Sequence, residues 1–128
     1  MPATLEKEKL MKIIIIDDEE DIRELFSNFL EMSGSNQILT AATGKDAIAL
    51  IERAKPEVVF LDIQLADNIN GIEVLKVTRE VSPGTRVVMM SSYLEEYGAL
   101  TLSMGAFDFL KKPFNSDTLK AMVGKILG

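Results

Sequence analysis

Five short, almost wholly apolar runs alternate with five longer segments of helical spacing, and this rhythm constrains the fold more than any other feature. Residues 12–16 carry four consecutive isoleucines and stop at Asp17-Asp18. A run with no polar alternation predicts a strand buried on both faces. Residues 21–32 follow with Ile22, Leu25, Phe26, Phe29 and Leu30 at helical spacing, read as the inward stripe of a helix that Gly34 closes. The pattern then repeats. Strands are expected at 38–42, 58–61, 86–90 and 107–110, and helices at 45–54, 72–81, 94–104 and 117–127, with Ala47, Ile48, Leu50 and Ile51 facing inward in the second helix. Strands separated by helices imply an α/β fold with a parallel sheet covered on both sides, because right-handed crossovers place helices on its two faces. In such sheets ligands bind at the carboxyl ends of the strands.

Composition narrows the chemistry. The 128 residues include no Cys and no His, which removes disulfides, thiolate or imidazole metal ligands, Cys nucleophiles and Ser-His triads. What remains are carboxylates, hydroxyls, Lys and backbone groups, the donors that hard cations prefer. Net charge is -6 and no basic run exceeds Lys111-Lys112, which argues against direct nucleic-acid binding. The apolar runs are far shorter than the ~20 residues of a membrane span, and the charged start does not read as a secretory signal. A soluble, cytoplasmic protein is expected, with residues 1–10 as a flexible polar tail and 11–128 as one domain.

The predicted strand ends place Asp17 and Asp18 after the first strand, Asp62 after the third, Ser91 and Ser92 after the fourth, and Lys111-Lys112-Pro113 after the fifth. Taken singly, the acidic pair reads as a helix cap, Asp62 as the start of a loop, the serines as caps and Lys112 as a solvated side chain. Their convergence on one edge of a sheet carries the functional reading. Crowded carboxylates repel one another and call for a divalent cation. Lys112 offsets part of the remaining charge and can meet an incoming phosphate oxygen. Without Cys or His, the strong nucleophile left for phosphorus is an Asp, and Ser91 can donate its hydroxyl proton to a phosphoryl oxygen once one is attached.

Five stretches taken in order carry a resemblance: Ile-Ile-Ile-Ile-Asp-Asp-Glu-Glu-Asp-Ile at 13–22, Val-Val-Phe-Leu-Asp-Ile-Gln-Leu at 58–65, Asn-Gly-Ile-Glu-Val-Leu at 70–75, Val-Val-Met-Met-Ser-Ser-Tyr at 87–93 and Gly-Ala-Phe-Asp-Phe-Leu-Lys-Lys-Pro-Phe at 105–114. The chain from 11 to 127 resembles the receiver domains of two-component response regulators, of the chemotaxis-regulator kind. That resemblance implies a flavodoxin-like (βα)5 fold with strand order 2-1-3-4-5. It implies Asp62 as phosphoacceptor, and Mg2+, replaceable by Mn2+, held by Asp18, Asp62 and the Gln64 backbone carbonyl, with Asp17 acting mainly through water. Lys112 would contact the phosphoryl group, Ser91 would move toward it, Phe109 would be the switch residue, and the Lys112-Pro113 peptide would be cis. The implied partners are a sensor histidine kinase or a phosphotransfer protein as donor, and an output domain or protein meeting the face of the fourth helix, fifth strand and fifth helix. Tyr97, Phe109 and Lys111 lie on or near that face, through which family members also dimerise.

The chain departs from the family pattern in having Ala66 where Pro is frequent, a loop from Asp62 to Gly71 one residue longer, Ser91 for the commoner Thr and Ser92 for a usual Ala. Gly98 weakens the fourth helix by roughly 1 kcal/mol relative to Ala, which points to mobility there. An aspartyl-phosphate phosphatase needs a second acid two residues after its nucleophile, and that position is Gln64. A nucleotide or flavin module needs a glycine-rich loop where this chain has Asp17-Asp18-Glu19-Glu20. A degenerate receiver serving only as an interaction module would not need the intact acids, hydroxyl and Lys. The chain reads either as a stand-alone receiver or as part of a longer regulator or hybrid kinase.

Overall fold

A computed structural model describes residues 11–32, 34 and 36–127; the tail expected at 1–10 lies outside them. The strands are β1 (Met11–Ile16), β2 (Asn36–Ala41), β3 (Val58–Asp62), β4 (Arg86–Ser91) and β5 (Asp108–Lys111), and the helices are α1 (Glu20–Glu31), α2 (Gly44–Ala54), α3 (Gly71–Val81), α4 (Leu94–Ser103) and α5 (Ser116–Leu127). All strand pairs are parallel and the sheet order is β2-β1-β3-β4-β5. The order reverses direction between β1 and β3, so a crevice opens beyond the ends of those two strands.

Alternate residues of each strand enter opposite layers. Ile14, Ile16, Val59, Leu61, Val87 and Met89 pack with Ala47, Ile51, Val74 and Leu75 of α2 and α3. Ile13, Ile15, Val58, Phe60, Val88, Met90 and Leu110 pack instead with Phe26 and Leu30 of α1 and with Leu119, Val123 and Ile126 of α5. Burying each of these larger side chains contributes about 1.5–3 kcal/mol. Because every central residue points into one layer or the other, the strands need the uninterrupted apolar runs seen in the sequence.

Phe26 lies 4.7 Å from Phe60 and 5.8 Å from Phe114, centroid to centroid, which fixes α1 against β3 and against the segment after β5. Leu25 departs from the inward stripe expected of α1, being 42% exposed. It sits one helical step, about 100°, from Phe26, which takes the buried direction. Strand β5 starts one residue later than expected, and β3 and β4 each run one residue further, so Asp62 and Ser91 are the final strand residues.

Candidate functional site: an acidic crevice at the strand ends

Strand register builds the site. Ile16 pairs with Leu61, so the next residues, Asp17 and Asp62, stand side by side. Asp62 pairs with Met90 and Ser91 with Lys111, which brings Ser91 and Lys112 to the same edge. Ligand oxygens of Asp17, Asp18 and Asp62 all lie within 4.8 Å of one another. Asp17 is fully buried, Asp62 is 4% exposed and Asp18 is open to solvent.

Three carboxylates meet one ammonium. Lys112 Nζ lies 2.8 Å from Asp17 Oδ2, 3.0 Å from Glu19 Oε1 and 3.3 Å from Asp62 Oδ2. Its backbone N–H donates to the Ser91 carbonyl at 2.9 Å, which ties it to the end of β4; the Lys112-Pro113 peptide that follows is cis. Asp17 Oδ1 also accepts the Glu19 N–H at 2.9 Å, and the Asp17 N–H donates to the Ala41 carbonyl. Burial pushes the Asp17 carboxyl above its ordinary range despite Lys112. Asp62 is pushed up to about 7, first by burial and then by the Asp17 charge, although Lys112 and the Gln64 N–H pull the other way. For Lys112 burial alone would favour the neutral amine, but Asp17, Asp62 and Glu19 together outweigh it and hold the ammonium more firmly than usual.

These oxygens fit a hard divalent cation. The set is all-oxygen, with no imidazole or thiolate, and its three converging carboxylates have one ammonium beside them, that of Lys112, which contacts Asp17 and Asp62. Asp17, Asp18 and Asp62 would hold the ion, with Gln64 next along the chain from Asp62 after Ile63.

Ser91 is 2% exposed, and its Oγ accepts the Tyr93 N–H at 3.0 Å. Ser92 is exposed, so the buried hydroxyl at this edge is that of Ser91. Phe109 is half-buried and packs against the layer that holds α2 and α3, where Tyr97 and Met104 also pack. Exposed Lys111 reaches Glu95 of α4 at 3.9 Å. A groove of about 290 Å3 flanks Lys112 and is lined by Glu19, Ile22, Leu25, Ser92, Pro113 and Phe114.

Two residues escaped the sequence reading. Glu19 is a further partner of Lys112, though it lies 93 positions away; its place directly after the acidic pair was the only available signal. Asp67, in the lengthened loop, accepts the Gly44 and Lys45 N–H groups at 2.8 and 3.0 Å, and nothing in periodicity marks it.

Known proteins resemble this chain in sequence and in fold. Residues 13–124 match the family described as response regulator receiver domain. The chain is 37% identical over 117 residues to the alkaline phosphatase synthesis transcriptional regulatory protein PhoP of Bacillus subtilis, covering 91% of this chain and 48% of that protein. It is 36% identical to the nitrogen assimilation regulatory protein NtrX of Azorhizobium caulinodans, covering 90% and 26% respectively. The chain thus spans about half the length or less of these relatives. Among solved structures, the receiver domain of NtrX from Brucella abortus superposes with a TM-score of 0.81 at 34% identity, covering 90% of this chain and 97% of that one. Chemotaxis protein CheY4 of Vibrio cholerae gives 0.79 at 28% identity, covering 92% and 99%. With its sheet order, its acidic crevice and this match agreeing, the chain belongs to the response regulator receiver domains of two-component signalling, whose general function is to accept a phosphoryl group.

Proposed function

We propose that Asp62 is the phosphoacceptor, that the reaction depends on Mg2+, with Mn2+ able to replace it, and that the resulting charge change switches the domain. One observation carries this reading: the Lys112 ammonium lies 3.3 Å from the Asp62 carboxylate, while three carboxylates converge within 4.8 Å. A carboxylate oxygen of Asp62 attacks the phosphorus of a phosphohistidine on a partner. The P–N bond breaks, its electron pair leaves with the imidazole, and an acyl phosphate remains on Asp62. Asp17, Asp18 and Asp62 would hold the Mg2+, which would offset their crowded charge and polarise the phosphoryl oxygens. Lys112 stays protonated and pairs with a phosphoryl oxygen. Ser91 exchanges its bond from the Tyr93 N–H for a bond it donates to the phosphoryl group.

Phosphorylation replaces one negative charge by about two and adds acceptor oxygens, which biases an existing two-state equilibrium. Phe109, half-buried between the sheet and α4, is the residue whose packing changes. The output surface is that of α4, β5 and α5, with Tyr97 and Lys111 on or near it. A histidine kinase or phosphotransfer protein supplies the phosphoryl group, and the apolar groove beside Lys112, with exposed Leu25 on its wall, gives that partner a footing next to the reacting atoms. The regulatory relatives support an output domain or protein downstream. Among the described residues no helix is long and apolar enough to cross a membrane, and the proposed setting is the cytoplasm, where the domain acts as a switch and not as an enzyme on other substrates.

Intact mass after incubation with acetyl phosphate or phosphoramidate tests the reading. We expect a single adduct that needs Mg2+, is labile to base and is absent in Asp62→Asn. Absence of an adduct on folded protein with donor in excess would leave only an interaction module; donor turnover without an adduct would indicate a phosphatase.

A further inference from the structure

We propose that Asp67 is a positioning residue of the acidic site, clamping the loop that follows Asp62 onto the first turn of α2 so that cation binding and the start of α2 are coupled. This rests on the cation-dependent reading above.

The loop is fastened at both ends. At its start the Ile63 N–H donates to the Met90 carbonyl at 3.1 Å, and the Gln64 N–H faces the Asp62 carboxylate closely enough to pull its pKa down. At its end the Gly71 N–H donates to the Ile63 carbonyl at 2.7 Å. A methyl group at Gly71 would collide with the Asp62 carbonyl, so only glycine lets the chain pass so close to the acceptor.

Between these ends Asp67 reaches out of the loop. Its Oδ1 accepts the Gly44 N–H at 2.8 Å and its Oδ2 the Lys45 N–H at 3.0 Å. These are two of the N–H groups that a helix start leaves without an intrahelical partner. Helix α2 already has its own cap, Thr43, whose Oγ1 accepts the Asp46 N–H at 3.1 Å. Asp67 is therefore a second cap, borrowed from a segment more than twenty positions away that also carries Gln64. The backbone at Ile69 presses on Gly44 so closely that Gly44 has no room for a Cβ. The Gly44 N–H bond, foremost, holds the Asp67 carboxyl below its ordinary range, in keeping with a charged clamp.

Coupling between two sites is reciprocal. If the clamp holds the loop in the shape that receives the cation, the cation must in turn hold the clamp. We would follow amide hydrogen exchange by NMR in the full chain, with and without MgCl2, and titrate MgCl2 against the amide shifts of Asp17 and Asp62. In the wild type Mg2+ should slow exchange at Gly44 and Lys45 by about 5- to 10-fold, the low end of the usual range of coupling. In Asp67→Asn and in Asp67→Glu the dissociation constant should rise several-fold and the Mg2+-dependent protection should vanish. Unchanged exchange at Gly44 and Lys45 while Asp17 and Asp62 respond would reduce Asp67 to a helix cap. Wild-type affinity in Asp67→Glu, with loss only in Asp67→Asn, would reduce it to a nearby charge. No response at Asp17 or Asp62 in the wild type would overturn the cation reading itself. The wild-type exchange needs no variant, so the test decides even where a substitution disturbs folding.

Discussion

Asp62 is 4% exposed and shares its corner with the fully buried Asp17, so its ionised form loses hydration and faces a like charge. Lys112 offsets part of this, yet the carboxyl is still pushed from 3.8 to about 7. An acid with a raised folded pKa binds its proton more tightly in the folded chain than in the unfolded one. Its favourable contribution is therefore fully present below 3.8 and is lost as pH rises through the window up to about 7. The metal-free wild type should lose stability relative to Asp62→Asn across that window, by up to about 4 kcal/mol at pH 8. Urea unfolding of both proteins at pH 5 and pH 8 should read about 3 kcal/mol of this loss, the rest being complete by pH 5, and a deficit of the wild type against its variant that does not grow between the two pH values would contradict the crowded carboxylate. Lys112 gives the complementary case. Lys112→Ala leaves Asp17 and Asp62 buried without a cation and should cost about 3–5 kcal/mol at pH 8. Glu19→Gln removes an ion-pair partner whose side chain is 61% exposed and should stay within about 1 kcal/mol. Equal losses in thermal melts of the two variants would show that burial does not set the hierarchy.

Helices α3 and α4 are nearly equal in length but differently anchored. Helix α3 opens with a capping box, in which Asn70 Oδ1 accepts the Glu73 N–H at 3.1 Å and Glu73 Oε1 accepts the Asn70 N–H at 3.4 Å. Helix α4 opens at Tyr93 with no side-chain cap, carries Gly98 in its interior, and leaves Leu94, Leu100 and Leu102 between 37% and 47% exposed. A missing cap and an interior glycine each weaken a helix by about 1 kcal/mol. Amides in the middle of α4 should therefore exchange at least about tenfold faster than those of α3. Equal protection would remove the mobility that the sequence suggested through Gly98. The same two helices show what was legible in sequence. Apolar spacing located every helix and strand to within one or two residues, since those patterns follow from local geometry. The helices begin at Gly44 and Gly71, one residue before the apolar spacing places them, because glycine is a poor helix former; it stands there because Ile69 at the one and the end of β3 at the other leave no room for a Cβ. Exposed Leu25 defied the spacing because it sits on the margin of its stripe, where a neighbouring element decides burial.

At the scale of the whole molecule, the parallel sheet turns residues far apart in sequence into neighbours, and this explains both what could be foreseen of the site and what could not. Asp17, Asp18, Asp62, Ser91 and Lys112 each end or follow an apolar strand, so a rule about strand ends places them on one edge without coordinates. Glu19 and Asp67 make their contacts through side-chain reach across that edge, which no local pattern encodes. The crowding of the edge has a global consequence. Among the described residues the only three-acid cluster suited to a metal ion is that of Asp17, Asp18 and Asp62, and the unfolded chain has no such cluster to offer. A ligand that binds only the folded state stabilises it by RT ln(1 + [L]/Kd), about 2.7 kcal/mol at one hundred times Kd. For a domain of this size that raises the melting temperature by several degrees. We expect MgCl2 to do this where NaCl at equal ionic strength does not, since simple screening of a net charge of -6 would serve both salts alike. Asp62→Asn should lose most of the Mg2+ increment while keeping the common salt effect. A melting curve that responds identically to the two salts would mean that the three carboxylates are accommodated by protonation and by Lys112 alone, without a cation.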